Sequence, residues 1–436
     1  MVQSAMNDPA LDGTGRLAAL REWELRHGHT AREKNAESNN HIHTIYSFSP
    51  YSPSMAALLA RDAGLCVAGS VDHDSIAAAA EMLSACAILG IGGCVGFEIR
   101  VSFKTGPGGN SGPFAARRLS STDSAGCAYM TVQGIPGQSL KKAEGFLAPL
   151  RAERLKRSRA MTITANALLK EAGFSEIDFD ADVLARSKFA EGGGITERHL
   201  LAAVAEKIIL KYGKGMELIE GLKQKFGITV LPALITLLST ADNPHYLYDL
   251  LGCLKAEFLP QIYIEPDEKE CIPAETATAF AQSIGGIPAY AYLGGVEDDY
   301  IEELFEELHR LNFKAVAYMP PRNTMEQLRT LRKLSASWGF MEISGVDINS
   351  SRQSFNCPLV LHNEFRHLLD SNWALIAHER LASVNERYGL FSGENPLASM
   401  ELPKRIARYA GLGRRLDLNH PGESAVLLAA EIDKGV

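Results

Sequence analysis

The stretch His41-Ile42-His43 opens a series of short apolar segments that each end close to a potential metal ligand. Two histidines two residues apart on an extended strand point to the same side of it. A third histidine follows in Val71-Asp72-His73-Asp74, and a glutamate in Gly96-Phe97-Glu98. Imidazole and carboxylate together suit zinc, manganese or iron. The sequence therefore predicts a divalent-metal site at the end of a parallel sheet.

Strand and helix patterns alternate around these segments. Before residue 136 the patterns predict strands at 67–71, 93–103 and 128–135, and helices at 53–63 and 75–89. The Gly-, Ser- and Pro-rich stretch 104–125 is typical of a hairpin loop. After residue 260 the patterns predict helices at 274–284, 297–311 and 324–338, and strands at 287–292, 315–319 and 340–346. Single helices between strands imply parallel pairing, and the number of strands approaches that of a barrel.

The pattern divides the chain into five parts. We predict an N-terminal extension at 1–37, two parts of one barrel at 38–136 and 255–385, and a C-terminal helical tail at 386–436. Between the two barrel parts, 137–254 carries long basic and amphipathic helices with almost no strand pattern. This helical insertion is expected to cap the site, and Pro149 is expected to break its first helix.

Composition excludes several classes of protein. The 436 residues carry a net charge of -8, so nucleic acid is an unfavourable main partner. No apolar run reaches the roughly 18 residues of a membrane span. The N-terminus lacks the hydrophobic core of a secretory signal. The seven cysteines are scattered without a CxxC motif, which predicts reduced thiols without a special role in a cytoplasmic protein.

The ordered motifs resemble those of the polymerase and histidinol phosphatase (PHP) superfamily of metal-dependent phosphoesterases. Its HxHTxYSD motif is similar to residues 41–48, ITDHD to 70–74, and GxEI to 96–99. The family's Gly-rich turn followed by RPHIARAL resembles residues 192–203. Its GGVAVLAHPG motif resembles residues 285–294, and its GSDxH motif resembles residues 345–349. The resemblance implies an α/β fold, a distorted (β/α)7 TIM-like barrel with an inserted helical domain. It also implies a metal site of one to three divalent ions at the carboxyl ends of the strands.

The resemblance also implies a set of metal ligands. These are His41, His43, His73, Glu98, His199, Tyr292, Asp347 and Asn349, with His245 as a competing choice for the place of His199. Phe48, Tyr292 and Asn349 stand where family members carry ligands. One site, formed by His41, His43, Glu98 and Asp347, is therefore expected to be intact, and two further sites are expected to be weakened.

Catalytic roles are expected for Asp72, Arg198 and Asp347. Asp72 has two further readings, as an acceptor that orients a ligand histidine or as a helix N-cap. The candidates for phosphate contact are Arg100, Arg198, Arg322 and Arg352, because a planar guanidinium can bond two phosphate oxygens at once. Each of these arginines could instead be an ordinary ion-pair residue, and His199 could be a helix-surface residue.

Two functions remain in competition at this stage. The leading hypothesis is a metal-dependent phosphoesterase acting on a small phosphorylated metabolite or nucleotide. The altered ligand positions also allow a catalytically weakened protein that binds a metal or ligand as a regulatory module. A nuclease is a weaker reading, because the chain is acidic and lacks an obvious base-stacking surface.

Overall fold

A computed structural model describes residues 2–27, 36–106 and 109–433 of the chain. The strands are β1 Ser38–Ile42, β2 Val67–His73, β3 Gly92–Ser102, β4 Cys127–Gln133, β5 Ile272–Pro273, β6 Ile287–Tyr292, β7 Ala315–Tyr318 and β8 Met341–Ser344. The α-helices are α1 Val2–Met6, α2 Gly13–His27, α3 Pro53–Asp62, α4 Ala79–Leu89, α5 Leu140–Glu171, α6 Glu197–Tyr212, α7 Met216–Phe226, α8 Pro232–Ser239, α9 Tyr246–Glu257, α10 Leu259–Ile262, α11 Ala274–Ser283, α12 Ile301–Arg310, α13 Met325–Trp338, α14 His367–Val384, α15 Leu402–Arg414 and α16 Pro421–Asp433.

Seven of these strands form a nearly closed barrel in the order β1-β2-β3-β4-β6-β7-β8, and the short β5 pairs with β3 outside this order. Neighbouring strands are parallel except at β4, which is antiparallel to both β3 and β6. A parallel bridge between Ile42 and Ile348 joins the two ends of the sheet. There the His43 amide donates to the Ile348 carbonyl at 2.9 Å. The predicted TIM-like α/β barrel is confirmed.

The register of the central strands brings polar residues together at one end of the barrel. Every residue of β3 is buried, as is usual for a strand covered on both faces. In the β2–β3 ladder His73 lies directly opposite Glu98. Chain reversal after β3 agrees with the predicted hairpin, because Ser102 pairs with Cys127 in the antiparallel ladder.

The helical insertion has an apolar core of its own, which extends from Met161 to Ile262. Helix α5 joins both cores, because its first half packs into the barrel core with Leu147 and Leu150. The predicted break at Pro149 is wrong, since α5 continues through this residue. An interior proline removes one helical hydrogen bond, at a cost of about 3 kcal/mol. We attribute the continuity of α5 to the packing of its helical turns before and after Pro149.

Both terminal regions pack onto the barrel. Arg16 of α2 is fully buried and pairs with Glu81 of α4 at 2.7 Å. Helices α14, α15 and α16 form a third apolar cluster with residues at the starts of several strands, among them Val67, Ile287 and Met341. None of the helices in the described residues has the length and apolar character needed to cross a membrane.

Candidate metal centre

Five of the predicted ligands converge at the carboxyl end of the barrel. His41 Nε2 lies 3.6 Å from Glu98 Oε1, and His43 Nε2 lies 3.6 Å from Glu98 Oε2. His43 Nε2 is also 3.4 Å from Asp347 Oδ1, and His73 Nδ1 is 3.0 Å from Glu98 Oε2. They form two overlapping groups, His41/His43/Asp347 and His43/His73/Glu98, each with donor atoms within 4.8 Å of one another. Each group therefore offers three donor atoms to one cation.

Two ring nitrogens of this cluster are buried and form no hydrogen bond of suitable geometry with the described residues, although both lie near Glu98. They are His41 Nε2 and His73 Nδ1. Leaving a buried polar atom unpaired costs about 1–3 kcal/mol, so such atoms require an explanation. A divalent cation would use both lone pairs, and the mixed nitrogen and oxygen donors suit zinc, manganese or iron. The residues present fit the predicted metal.

Three members of the cluster have the charge states that ligation requires, whereas Asp347 outweighs burial and raises the pKa of His43, and burial raises the pKa of Glu98. Burial lowers the pKa of His41 and, more strongly, that of His73, so both rings are neutral near pH 7. Burial opposes ionisation of Asp347, but the contact with His43 and the positive charges of His43 and Arg198 together outweigh that effect and hold its pKa well below the usual range. Neutral imidazoles and an ionised carboxylate are the forms that bind metals.

Asp72 orients His43 of this cluster through Ser47. Its carboxylate accepts from the amide and the hydroxyl of Thr44, and from the Ser47 hydroxyl, each at 2.6 Å. The Ser47 oxygen lies 3.3 Å from His43 Nδ1. Because the Ser47 proton is directed to Asp72, His43 Nδ1 carries the proton of this contact, and Nε2, on the side of Glu98 and Asp347, is the nitrogen that would bind a metal. Of the readings open for Asp72, the structure favours an acceptor that orients a ligand histidine.

A cleft of about 490 Å³ opens above the cluster. Its lining includes His73, Glu98 and Asp347 from the cluster, and Tyr129 from β4. Its cationic lining residues are Arg100, Arg154, Arg198, Lys255 and Arg322. The cleft thus combines candidate metal ligands with cations, although the chain as a whole is acidic.

Arg198 and Asn349 connect the helical insertion to Asp347. Arg198 Nη1 donates to the Asn349 side-chain oxygen at 2.7 Å and to its backbone carbonyl at 3.0 Å. The Asn349 amide donates in turn to Asp347 Oδ1 at 2.5 Å. The oxygen of Asn349 that would ligate a metal is engaged by Arg198 in this structure, and its ligation stays a prediction. Arg322 is half-exposed and lies 3.8 Å from Asp347 Oδ2.

A buried ion-pair cluster forms one wall of the cleft. Arg154 of α5 pairs with Asp74, which follows His73, and with Glu197 at 2.9 Å. Arg100 of β3, a predicted phosphate contact, donates to the other oxygen of Glu197 at 2.9 Å. Its guanidinium is already paired with a carboxylate, as the alternative ion-pair reading expects, and its contact with phosphate stays a prediction.

Two further arginines of α5 extend this wall. Arg157 forms two hydrogen bonds with Glu270, at 2.6 and 2.7 Å, and one with Glu197 at 2.7 Å. Arg151 donates to the Asp74 carbonyl at 3.0 Å. Sequence reasoning missed these residues. The spacing of residues 151, 154 and 157 was the available signal, because positions three apart lie on one face of a helix.

His199 and Tyr292 lie outside both ligand groups. His199 Nδ1 accepts from the Thr196 amide at 3.0 Å in a capping box of α6, and burial lowers its pKa to about 3. Its ring packs edge-on against Phe48 at 4.9 Å. Tyr292 donates its hydroxyl to Asp298, and burial together with that carboxylate raises the pKa of the phenol. In this structure His199 acts as a helix cap and Tyr292 is a neutral phenol, so neither joins the two ligand groups, and their ligand roles stay predictions.

His245 and Arg352 are also engaged elsewhere. His245 Nδ1 lies 2.8 Å from the Ser351 hydroxyl. Arg352 forms two bonds of 2.6 Å with the carboxylate of Asp249 in α9. Neither residue lines the cleft. The structure does not bring either residue to the cleft, and the ligand role of His245 and the phosphate contact of Arg352 stay predictions. Both residues fasten the loop after β8 to the helical insertion.

The chain is similar in structure to two solved proteins. It is similar to the crystal structure of a candidate metal-dependent phosphoesterase from Bifidobacterium adolescentis, with a TM-score of 0.50 and 17% identity, over 78% of this chain and 98% of that one. It is also similar to an amidohydrolase from Chromobacterium violaceum that holds sulfate and no metal, with a TM-score of 0.48 and 16% identity, over 77% and 96%. No protein-family model and no curated protein matches the sequence significantly. At 17% identity, the first likeness supports the barrel fold.

Proposed function

We propose that this chain is a metal-dependent phosphoesterase that hydrolyses a small phosphorylated metabolite or nucleotide, in line with its resemblance to the PHP superfamily. The observation that carries the proposal is the convergence of His41, His43, His73, Glu98 and Asp347 beneath a cleft lined by cations. The similar fold of the Bifidobacterium adolescentis protein, which is described as a candidate metal-dependent phosphoesterase, supports it.

The five converging residues would hold one or two divalent ions. Bound there, a divalent cation supplies Lewis acidity toward a phosphoryl oxygen and activates water for attack. His43 belongs to both ligand groups, and the two oxygens of Glu98 approach the histidines of both. Asp72 keeps His43 in the tautomer that ligation requires, through Ser47.

The cations at the edge of the cleft would bind the phosphate. Arg198 and Arg322 both approach Asp347, one through Asn349 and the other at 3.8 Å. Guanidinium groups bond phosphate oxygens in pairs, which orients the ester as well as attracting it. Lys255 lines the same cleft from α9 and forms no ion pair with the described residues. The helical insertion would therefore supply part of the substrate site and exclude water from it.

A metal- or ligand-binding regulatory module is the second candidate. A specific observation favours it: Tyr292 and Asn349, which the resemblance places at ligand positions, are both engaged by other side chains. A site with fewer metal ligands than those of PHP family members would still bind a metal or a ligand, but it would turn over substrate slowly.

The two candidates are separated by turnover of a broad phosphoester panel with manganese, zinc or iron. We expect the native chain to hydrolyse at least one small phosphoester, and Asp347→Ala to lose on the order of 10²–10³ in kcat/KM together with bound metal. Asp370→Ala is the matched control, because Asp370 is an exposed carboxylate of α14 paired with Arg414. Metal-loaded protein that binds phosphoesters and turns over none of them would favour the module.

A further inference from the structure

Two buried cysteines from distant parts of the chain are in contact. Cys127 and Cys271 are 1% and 2% exposed, and their sulfur atoms lie 3.2 Å apart. Both are free thiols in this structure. Disulfide sulfurs are about 2.05 Å apart, so bond formation requires an approach of about 1.2 Å. Cys271 directly follows a turn that begins at Asp267, and it precedes the two-residue strand β5.

The two cysteines lie on either side of the helical insertion along the chain, so a bond between them would constrain the insertion. Cys127 begins β4 at the end of the hairpin, opposite Ser102 of β3. Cys271 follows Glu270, whose carboxylate binds Arg157 of the helical insertion. The chain between the two cysteines, 128–270, includes the entire insertion. A bond between them would therefore fasten together the segments through which the chain leaves the barrel and returns to it.

We propose that Cys127 and Cys271 are a redox modification site, which forms a reversible disulfide that clamps the helical insertion onto the barrel. The inference is independent of the proposed phosphoesterase activity, because it rests only on the sulfur contact and its place in the chain.

The surroundings of the two thiols differ, and they would therefore take different roles in disulfide formation. The Cys271 thiol donates to Cys127 Sγ, and this contact together with the charges of Lys104 and Arg100 lowers the pKa of Cys127. The contact and burial raise the pKa of Cys271. Cys127 is therefore the attacking sulfur and Cys271 the resolving one.

The oxidant would be a small hydroperoxide. The Cys127 thiolate attacks the outer peroxide oxygen, the O–O bond breaks, and an alcohol or water leaves as the thiolate becomes a sulfenic acid. The Cys271 sulfur then attacks the sulfenic sulfur, the S–S bond forms, and water leaves. Two thiols are oxidised by two electrons, and one peroxide is reduced.

The test uses the full-length chain, first reduced and then exposed to hydrogen peroxide, with peptide mapping under non-reducing conditions. We expect two of the seven thiols to be lost, one cross-linked peptide pair containing Cys127 and Cys271, and full recovery with dithiothreitol. Limited proteolysis within 143–262 should be slower in the oxidised form.

Variants test the assignment further. Cys127→Ser and Cys271→Ser should each abolish the cross-link, whereas Cys86→Ala should retain it. Cys86 is a matched control because it is equally buried, and burial raises its pKa to about 12. The mapping on the native chain needs no variant, so it decides the question even if a substitution impairs folding. Seven unreacted thiols, a cross-link between other cysteines, or over-oxidation of Cys127 without a cross-link would each overturn the proposal.

Discussion

Asp72 connects the end of β2 to the loop after β1 through three short hydrogen bonds from Thr44 and Ser47. In Asp72→Asn an amide NH2 group replaces one carboxylate oxygen. This group is itself a donor and would face the donors of Thr44 or Ser47, so at least one hydrogen bond is lost. We expect a loss of about 1–3 kcal/mol in the free energy of unfolding of metal-free protein, and a 10- to 100-fold loss in manganese affinity. Urea unfolding and calorimetric titration measure the two effects. Asp123→Asn, at an exposed aspartate that lines the cleft, should retain native stability. Unchanged manganese affinity in Asp72→Asn would contradict its role in orienting His43.

Glu297 is a buried carboxyl group outside the metal cluster. Tyr290 donates to one of its oxygens at 3.0 Å, and the other has no partner among the described residues. Burial, with a smaller effect of Asp298, raises its pKa from 4.5 to about 7. The folded state therefore binds this proton more tightly than the unfolded state. Its contribution to stability is fully present below about pH 4.5 and is lost as the pH rises through about 7.

We therefore expect Glu297→Gln to stabilise the protein at alkaline pH, by up to about 3 kcal/mol, and to flatten the pH dependence between about 5 and 8. Urea unfolding of both proteins across this range measures the difference. Glu302→Gln, an exposed substitution on the following helix, should leave the pH dependence unchanged. Parallel stability curves for the native chain and Glu297→Gln would show that Glu297 does not titrate in this way.

The candidate site was predictable from sequence where a motif follows a strand. The positions of His41, His43, His73 and Glu98 near strand ends determine that they meet, because parallel strands end at the same edge of a barrel. The engagement of Tyr292 by Asp298 and of Asn349 by Arg198 was not predictable. Such pairings depend on the relative positions of loops and helices, which local patterns do not encode.

At the scale of elements, helix α5 joins the barrel to the helical insertion through Arg151, Arg154 and Arg157. The pairs of Arg154 with Asp74 and Glu197 are buried, so removing one partner leaves charges without compensation. We expect Arg154→Met to lower the free energy of unfolding by about 3–5 kcal/mol. The same substitution should weaken manganese binding, because Asp74 adjoins His73.

Arg159→Met is the matched control for this prediction. Arg159 lies on the same helix, and it pairs with Asp180 on the surface. Urea unfolding should show little change for Arg159→Met and a large loss for Arg154→Met. Equal effects of the two substitutions would mean that the buried cluster does not hold the insertion onto the barrel.

Most elements were predicted within a few residues, because apolar segments and helical periodicity are local properties. The strand predicted at 287–292 matches β6, and the helix predicted at 324–338 matches α13 to within one residue. Strand β5 was missed, because two residues carry no periodicity. The uninterrupted course of α5 was also missed, because the contacts that hold the turns around Pro149 come from two separate cores.

At the scale of the whole molecule, the metal cluster joins strands from both ends of the sheet. His41 lies on β1, Asp347 follows β8, and Glu98 lies on β3 between the histidines. A ligand that binds the folded state alone stabilises it by about 2.7 kcal/mol at 100 times its dissociation constant. A bound divalent cation should therefore raise the stability of the whole barrel.

We expect chelator-treated protein to take up one or two equivalents of manganese or zinc by elemental analysis, with a rise in the urea midpoint. Glu98→Gln should lose most of this metal-dependent rise, because Glu98 faces histidines of both ligand groups. Glu379→Gln should retain it, since Glu379 is equally buried but accepts from the Val95 amide outside the cleft. Hydrogen exchange should also slow at the ends of β1, β2 and β3. If metal neither binds nor shifts the midpoint of the native chain, the unpaired nitrogens of His41 and His73 require another explanation, and the proposed metalloenzyme is wrong.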